Sequence, residues 1–136
     1  MHIALKALSP AVNDPTTAAM CIDHLTALIT ECGSRVFPSP LRFSNGKLRV
    51  IAQLPTFSSL VQTPVDEIRL AAAAQPSVLR RLVRLIETAE TCVKRPERRH
   101  ALGVLLRRIA VSAESLSDAQ SRLTLREEIR PVQAVL

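Results

Sequence analysis

Seven polar side chains fall within residues 9–24 and form the densest group able to do chemistry: Ser9, Asn13, Asp14, Thr16, Thr17, Asp23 and His24. An exposed polar turn that runs into a helix start can hold a small anion on free backbone N–H groups, and Asp14 with His24 could work as acid and base. The same residues also have plain structural uses. Pro10 and Pro15 push Ser9 and Asp14 out of the helical conformation, so each is expected to cap the next turn or helix, with proline at the first helical position. Asn13 tolerates the left-handed conformation of a tight turn. Capping leaves Asn13, Thr16 and Thr17 without a role, and that remainder keeps a ligand-binding or enzymatic site at SPAVNDPTT as a hypothesis, with Asp23 and His24 one turn further along.

The second candidate is electrostatic. The chain carries a net charge of +6, and residues 80–108 hold nine basic side chains against Glu87, Glu90 and Glu97. That segment therefore accounts for the whole imbalance. Arg80, Arg81, Arg84, Arg95, Arg98 and Arg99 are expected to form a surface for anionic lipid headgroups or an acidic protein. Nucleic acid would answer the same charge, but the chain has no Trp or Tyr for stacking and no recognisable reading motif. The competing expectation is a solvated helix face with weak exposed ion pairs.

Other chemistries find little support. His2, His24, His100, Asp14 and Asp23 show no metal-binding spacing, so no metal and no cofactor is expected. Ser9, Asp14 and His24 lack a nucleophile elbow. Gly33, Gly46 and Gly103 are too scattered for a phosphate cradle. Cys21 and Cys32 would lie roughly 16 Å apart on one helix, which excludes a disulfide between them and favours reduced thiols.

These residues must be positioned by helices. Hydrophobic residues make up 47% of the 136, with three Phe as the only aromatics, so the core is aliphatic. The spacing of Ala18, Cys21, Ile22, Leu25, Leu28, Ile29 and Cys32 predicts a helix from Pro15 ended by Gly33 in the left-handed position, with Thr30 on its outer side. The rest of the chain is expected to pack on it. Ile3, Leu5 and Leu8 in Met1–Leu8 suggest the tail of a further helix. Asn45–Gly46 predicts a two-residue hairpin turn within residues 41–54, with Ser44 opposite Lys47, Phe43 opposite Leu48, Leu41 opposite Val50, and Phe43 and Val50 lying on the helices. Thr56–Gln62 reads as one helical turn with Thr56 as its cap, and Thr63–Pro64 as a fresh cap-then-proline helix start. Val78–Val93 and Glu97–Ser115 are strongly periodic and should form an antiparallel pair. A last helix starts at Ser117 or Asp118, and Pro131–Leu136 is expected to fray. The fold class is mainly α (α+β at most): an antiparallel bundle of about five helices with one β-hairpin, in a single domain over residues 1–136. No apolar run reaches the ~20 residues of a membrane span.

The run from Ile3 to Leu25 resembles the signature of a bacterial family of predicted membrane proteins of unknown function. The pattern is ALSP-x-x-NDP-x-TA-x-x-CID, matched by Ala7–Pro10, Asn13–Pro15, Thr17–Ala18 and Cys21–Asp23. The resemblance implies an N-terminal transmembrane region followed by a soluble C-terminal domain, of which this chain would be a fragment. It implies no activity and no ligand. The leading expectation is a cytoplasmic regulatory or scaffolding domain without assigned catalysis, membrane-associated in its full-length parent. Its expected partners are the missing transmembrane part and, through an exposed N-terminal edge, a second copy of itself.

Overall fold

In the segment from Pro76 to Val93, aliphatic residues recur every three or four positions, and the stripe they make is too wide for one neighbour. Val78, Leu79, Leu82, Val83, Leu85, Ile86, Ala89 and Val93 are all at most 2% exposed. A computed structural model, which describes residues 2–136, explains why. This segment is the central helix of an antiparallel bundle, with partners on several sides. In chain order the elements are α1 (His2–Ala7), α2 (Pro15–Ser34), β1 (Leu41–Ser44), β2 (Lys47–Ile51), α3 (Phe57–Ala71), α4 (Pro76–Cys92), α5 (Pro96–Glu114) and α6 (Ala119–Val135). Helix α4 packs against α2, α3, α5 and α6. The organising element is therefore α4, and not the N-terminal α2. Met1 lies outside the described residues; of the N-terminal stripe, Leu8 is buried while Ile3 is 66% exposed.

Helix α2 buries Ala18, Ile22, Ile29 and Gly33. Leu28, expected inside, is 64% exposed, and the Thr30 hydroxyl, expected outside, is buried without a partner among the described residues. Gly33 does not sit in the left-handed position beyond the helix. It is buried in the last turn, where an added Cβ would come within 2.7 Å of Val93 Cγ2. Its role is close approach between α2 and the end of α4 rather than a sharp stop.

Helix α3 overrides its internal proline. Pro64, expected to open a new helix after a cap, lies inside α3, which runs unbroken from Phe57 to Ala71. Phe57, Val61, Val65 and Ile68 form one buried stripe across the proline, and apolar burial outweighs the single hydrogen bond that Pro64 removes. The real start is Thr56, whose side chain and that of Ser59 cap each other reciprocally. Helix α6 likewise passes through Pro131, because Val132 beyond it is 5% exposed and Leu136 packs on the core. The expected fraying is absent.

The hairpin turn is as expected: Asn45 and Gly46 both take positive φ, 51° and 71°. Ser44 pairs with Lys47 and Phe43 with Leu48, but Arg42 pairs with Val50 and Leu41 with Ile51. Arg49 is thus the extra residue of a bulge, which replaces Val50 by Ile51 opposite Leu41. One face of the ribbon then carries Leu41, Phe43, Leu48 and Ile51. This face does not lie on the helices. Every strand residue is exposed, and the hairpin makes no substantial contact with any helix. No described helix is long and apolar enough to cross a membrane.

Candidate functional site

The polar turn is built as a joint between helices. Ser9 closes α1 instead of capping a downstream turn; its Oγ donates to the Lys6 carbonyl at 2.7 Å. The backbone folds back through Asn13 N–H to Ser9 O, 2.9 Å, and Asp14 N–H to Ala7 O, 2.7 Å. Asn13 sits at φ 47°, the left-handed region its side chain tolerates. Its Oδ1 accepts from Gln75 Nε2 at 2.7 Å, tying the turn to the residue that precedes α4. Asp14 caps α2 by accepting from the Thr16 and Thr17 N–H groups at 3.0 Å, and the Thr17 hydroxyl donates to its other oxygen at 2.5 Å. One turn on, Asp23 receives both Nε and Nη2 of Arg81 from α4. His24 is exposed.

Among the described residues, none of the seven candidates lines any of the three best-formed cavities. Ser9, Asn13, Asp14 and Thr17 hold the turn and the start of α2, Asp23 joins α2 to α4, and Thr16 contributes its backbone N–H. Asn13→Ala should cost about 2 kcal/mol, from a strained left-handed alanine and the lost Gln75 bond. Asn13→Gly keeps the backbone freedom and should cost less; urea titration of both variants checks the order. The pH dependence is equally specific. The Thr17 hydroxyl and the Thr16 and Thr17 N–H groups hold the Asp14 carboxyl below its usual range, and Arg81 does the same for Asp23. Both carboxylates thus bind protons less readily when folded, so their stabilisation is present at neutral pH and is lost as pH falls below about 4. Asp23→Asn should flatten part of that acid limb in thermal melts.

The arginine group is dispersed by acids from other helices. Arg80 pairs with Glu128 of α6, with Nε–Oε1 at 3.0 Å, and Arg81 with Asp23. Arg99 pairs with Glu90 at 2.7 Å, Arg108 with Asp66, and Arg95 weakly with Glu97 at 3.9 Å. Arg84 is exposed and has no ion-pair partner among the described residues. Charge counted along residues 80–108 overstates the free cationic surface, because Asp23, Asp66 and Glu128 lie far away in sequence.

Arg98 differs from the rest. Expected on the surface, it is 7% exposed. Its Nη1 donates to three carbonyls at the end of α2: Cys32 at 3.2 Å, Gly33 at 2.9 Å and Arg35 at 2.9 Å. A cation there complements the negative end of the helix dipole. The guanidinium carbon stands 4.7 Å from the Phe37 ring centroid and 5.3 Å from that of Phe57. The sequence held a signal for this: Arg98 lies four positions before Leu102 and seven before Leu105, on the buried stripe of α5. An apolar groove of about 680 Å³ opens beside it, between the legs of the hairpin and the starts of α3 and α5.

Comparison with known proteins adds a family. Residues 1–88 match the family described as predicted membrane protein (DUF2254). Uncharacterised proteins of Mycobacterium bovis and Mycobacterium tuberculosis are 34% identical to the chain over 116 residues, which cover 84% of this chain and 22% of theirs. The chain thus spans about a fifth of the length of these relatives. No solved structure matches it. With two-thirds of its length, from α1 through most of α4, matched by the family model, the chain belongs to the predicted membrane protein family DUF2254.

Proposed function

We propose that this chain is a non-catalytic regulatory or scaffolding domain of a membrane protein, set against the anionic cytoplasmic face of the bilayer by its hairpin. The hairpin carries the reading. Leu41, Phe43, Leu48 and Ile51 on its apolar face are 40%, 62%, 47% and 66% exposed. Arg42, Lys47 and Arg49 are its only charges, and no acidic residue occurs between Val36 and Val65. A ribbon with an apolar face and cations alone suits an anionic interface, where side chains enter the acyl boundary and basic groups meet headgroups. Two strands are marginally stable in water by themselves, so a covering surface also stabilises the ribbon. The polar turn supports a framework role, since its side chains join α1, α2 and α4. Membership of a membrane protein family fits the same reading.

Vesicle flotation tests it. The chain should float with vesicles of phosphatidylcholine and phosphatidylglycerol and stay in the dense fraction with phosphatidylcholine alone, and added salt should release it. Combining Lys47→Glu with Arg49→Glu should weaken binding at least about thirtyfold, from about 1 kcal/mol per lost cation. Absence of flotation, indifference to lipid charge, or a hairpin-dependent dimer seen by sedimentation without lipid would overturn the proposal.

A further inference from the structure

The groove at the root of the hairpin is lined by a cation that the protein engages through one nitrogen only. A guanidinium carries five N–H donors on three nitrogens. In Arg98 only Nη1 meets acceptors, the three α2 carbonyls. Nε and Nη2 have no hydrogen-bond partner among the described residues, and no carboxylate is paired with this side chain. Glu97, its neighbour at the rim, is 69% exposed and leans towards Arg95. Thr30 Oγ1 is the one buried side-chain polar atom without a partner among the described residues, so Nε and Nη2 of Arg98 keep access to solvent and are open to an incoming acceptor. Arg98 and the two rings that flank its guanidinium, Phe37 and Phe57, all line the groove.

The remaining wall is mostly apolar, with Pro38, Pro40, Leu54, Pro55 and Leu60, and its polar members are Thr56, Ser58 and the exposed Glu97 that pairs with Arg95. A volume of about 680 Å³ suits a small molecule rather than a single ion. A small polar anion would satisfy the arginine and leave these walls wet. A neutral apolar molecule would cover the walls and leave the donors unpaired. We propose that the groove binds a single-chain anionic amphiphile. Its carboxylate or phosphate head accepts from Nε and Nη2 of Arg98 side by side, the geometry that makes arginine–oxyanion pairs strong. Its hydrocarbon tail lies along Pro38, Pro40, Leu54 and Leu60. This site requires only a monomeric ligand and stands or falls independently of docking on a bilayer.

Calorimetric titration below the micellar concentration tests the site with oleate, lysophosphatidylglycerol and the neutral dodecyl maltoside. At least one anionic probe should bind one-to-one, at least about tenfold more tightly than the neutral probe. Tighter oleate binding assigns a carboxylate head, and tighter lysophosphatidylglycerol binding assigns a phosphate head. Arg98→Lys keeps the charge but loses the paired donors and should weaken the preferred probe by about tenfold. Leu60→Trp, at a side chain 40% exposed and so tolerated by the fold, should fill the groove and block the tail while leaving Arg98 in place. Should Arg98→Lys not fold, the Leu60→Trp result decides. No binding by either anionic probe, equal affinity for the neutral one, or affinity untouched by Leu60→Trp would overturn the assignment.

Discussion

Replacing Arg98 by methionine should lower the stability of the chain by about 3 kcal/mol, although methionine is apolar and of similar length. The loss arises at the far end of another helix. Cys32, Gly33 and Arg35 would lose the donor that closes the last turn of α2. A buried acceptor left without a partner costs more than an ordinary hydrogen bond contributes. The stacking on Phe37 and Phe57 would go with it. Arg98→Lys should lose roughly half as much, since one ammonium can still reach part of the carbonyl cluster but cannot stack as a plane. Urea denaturation with an unchanged slope checks this. A methionine variant as stable as the parent would show that Arg98 does not hold α2.

Gly33→Val should be nearly as damaging, at about 2–3 kcal/mol. The new Cβ would stand 2.7 Å from Val93 Cγ2 and 3.8 Å from Phe57 Cε2. Val93 is 1% exposed and β-branched, so it cannot turn aside without losing its own packing. Gly33→Ala should cost less, because the better helix preference of alanine offsets about 1 kcal/mol of the overlap. Combining Gly33→Ala with Val93→Ala should then cost less than the sum of the two single changes, which a double-mutant cycle measures directly. Additivity would mean that the two residues do not meet.

These two sites also show why parts of the fold are legible in the sequence and others are not. The stripes of α4 and α5 repeat at helical spacing over four turns, so their burial can be read directly from residue order. Asn45–Gly46 announces the hairpin because few dipeptides accept two successive positive φ values. Where the sequence misleads, distant partners decide. Gly33 resembles a helix stop in isolation, and only the approach of Val93 reveals why a side chain is excluded. Pro64 resembles a helix start until Phe57, Val61, Val65 and Ile68 are seen to share one buried stripe.

The candidate sites divide in the same way. The capping role of Asp14 is local and readable, whereas the bond from Gln75 to Asn13 joins residues 62 apart. The arginines of residues 80–108 look like one basic surface because their partners Asp23, Asp66 and Glu128 are remote in sequence. Alternation in the hairpin marks an apolar face but not its destination. A strand pattern is the same whether that face meets the protein core or a surface outside the chain.

Hydrogen exchange of the chain with and without phosphatidylglycerol-containing vesicles locates that surface most directly. Protection should appear in residues 41–51 and leave the exposed faces of α4 and α5 unchanged. Protection centred on Arg84 and the outer faces of α4 and α5, with the hairpin amides exchanging as before, would contradict the assignment of the hairpin as the membrane-facing element.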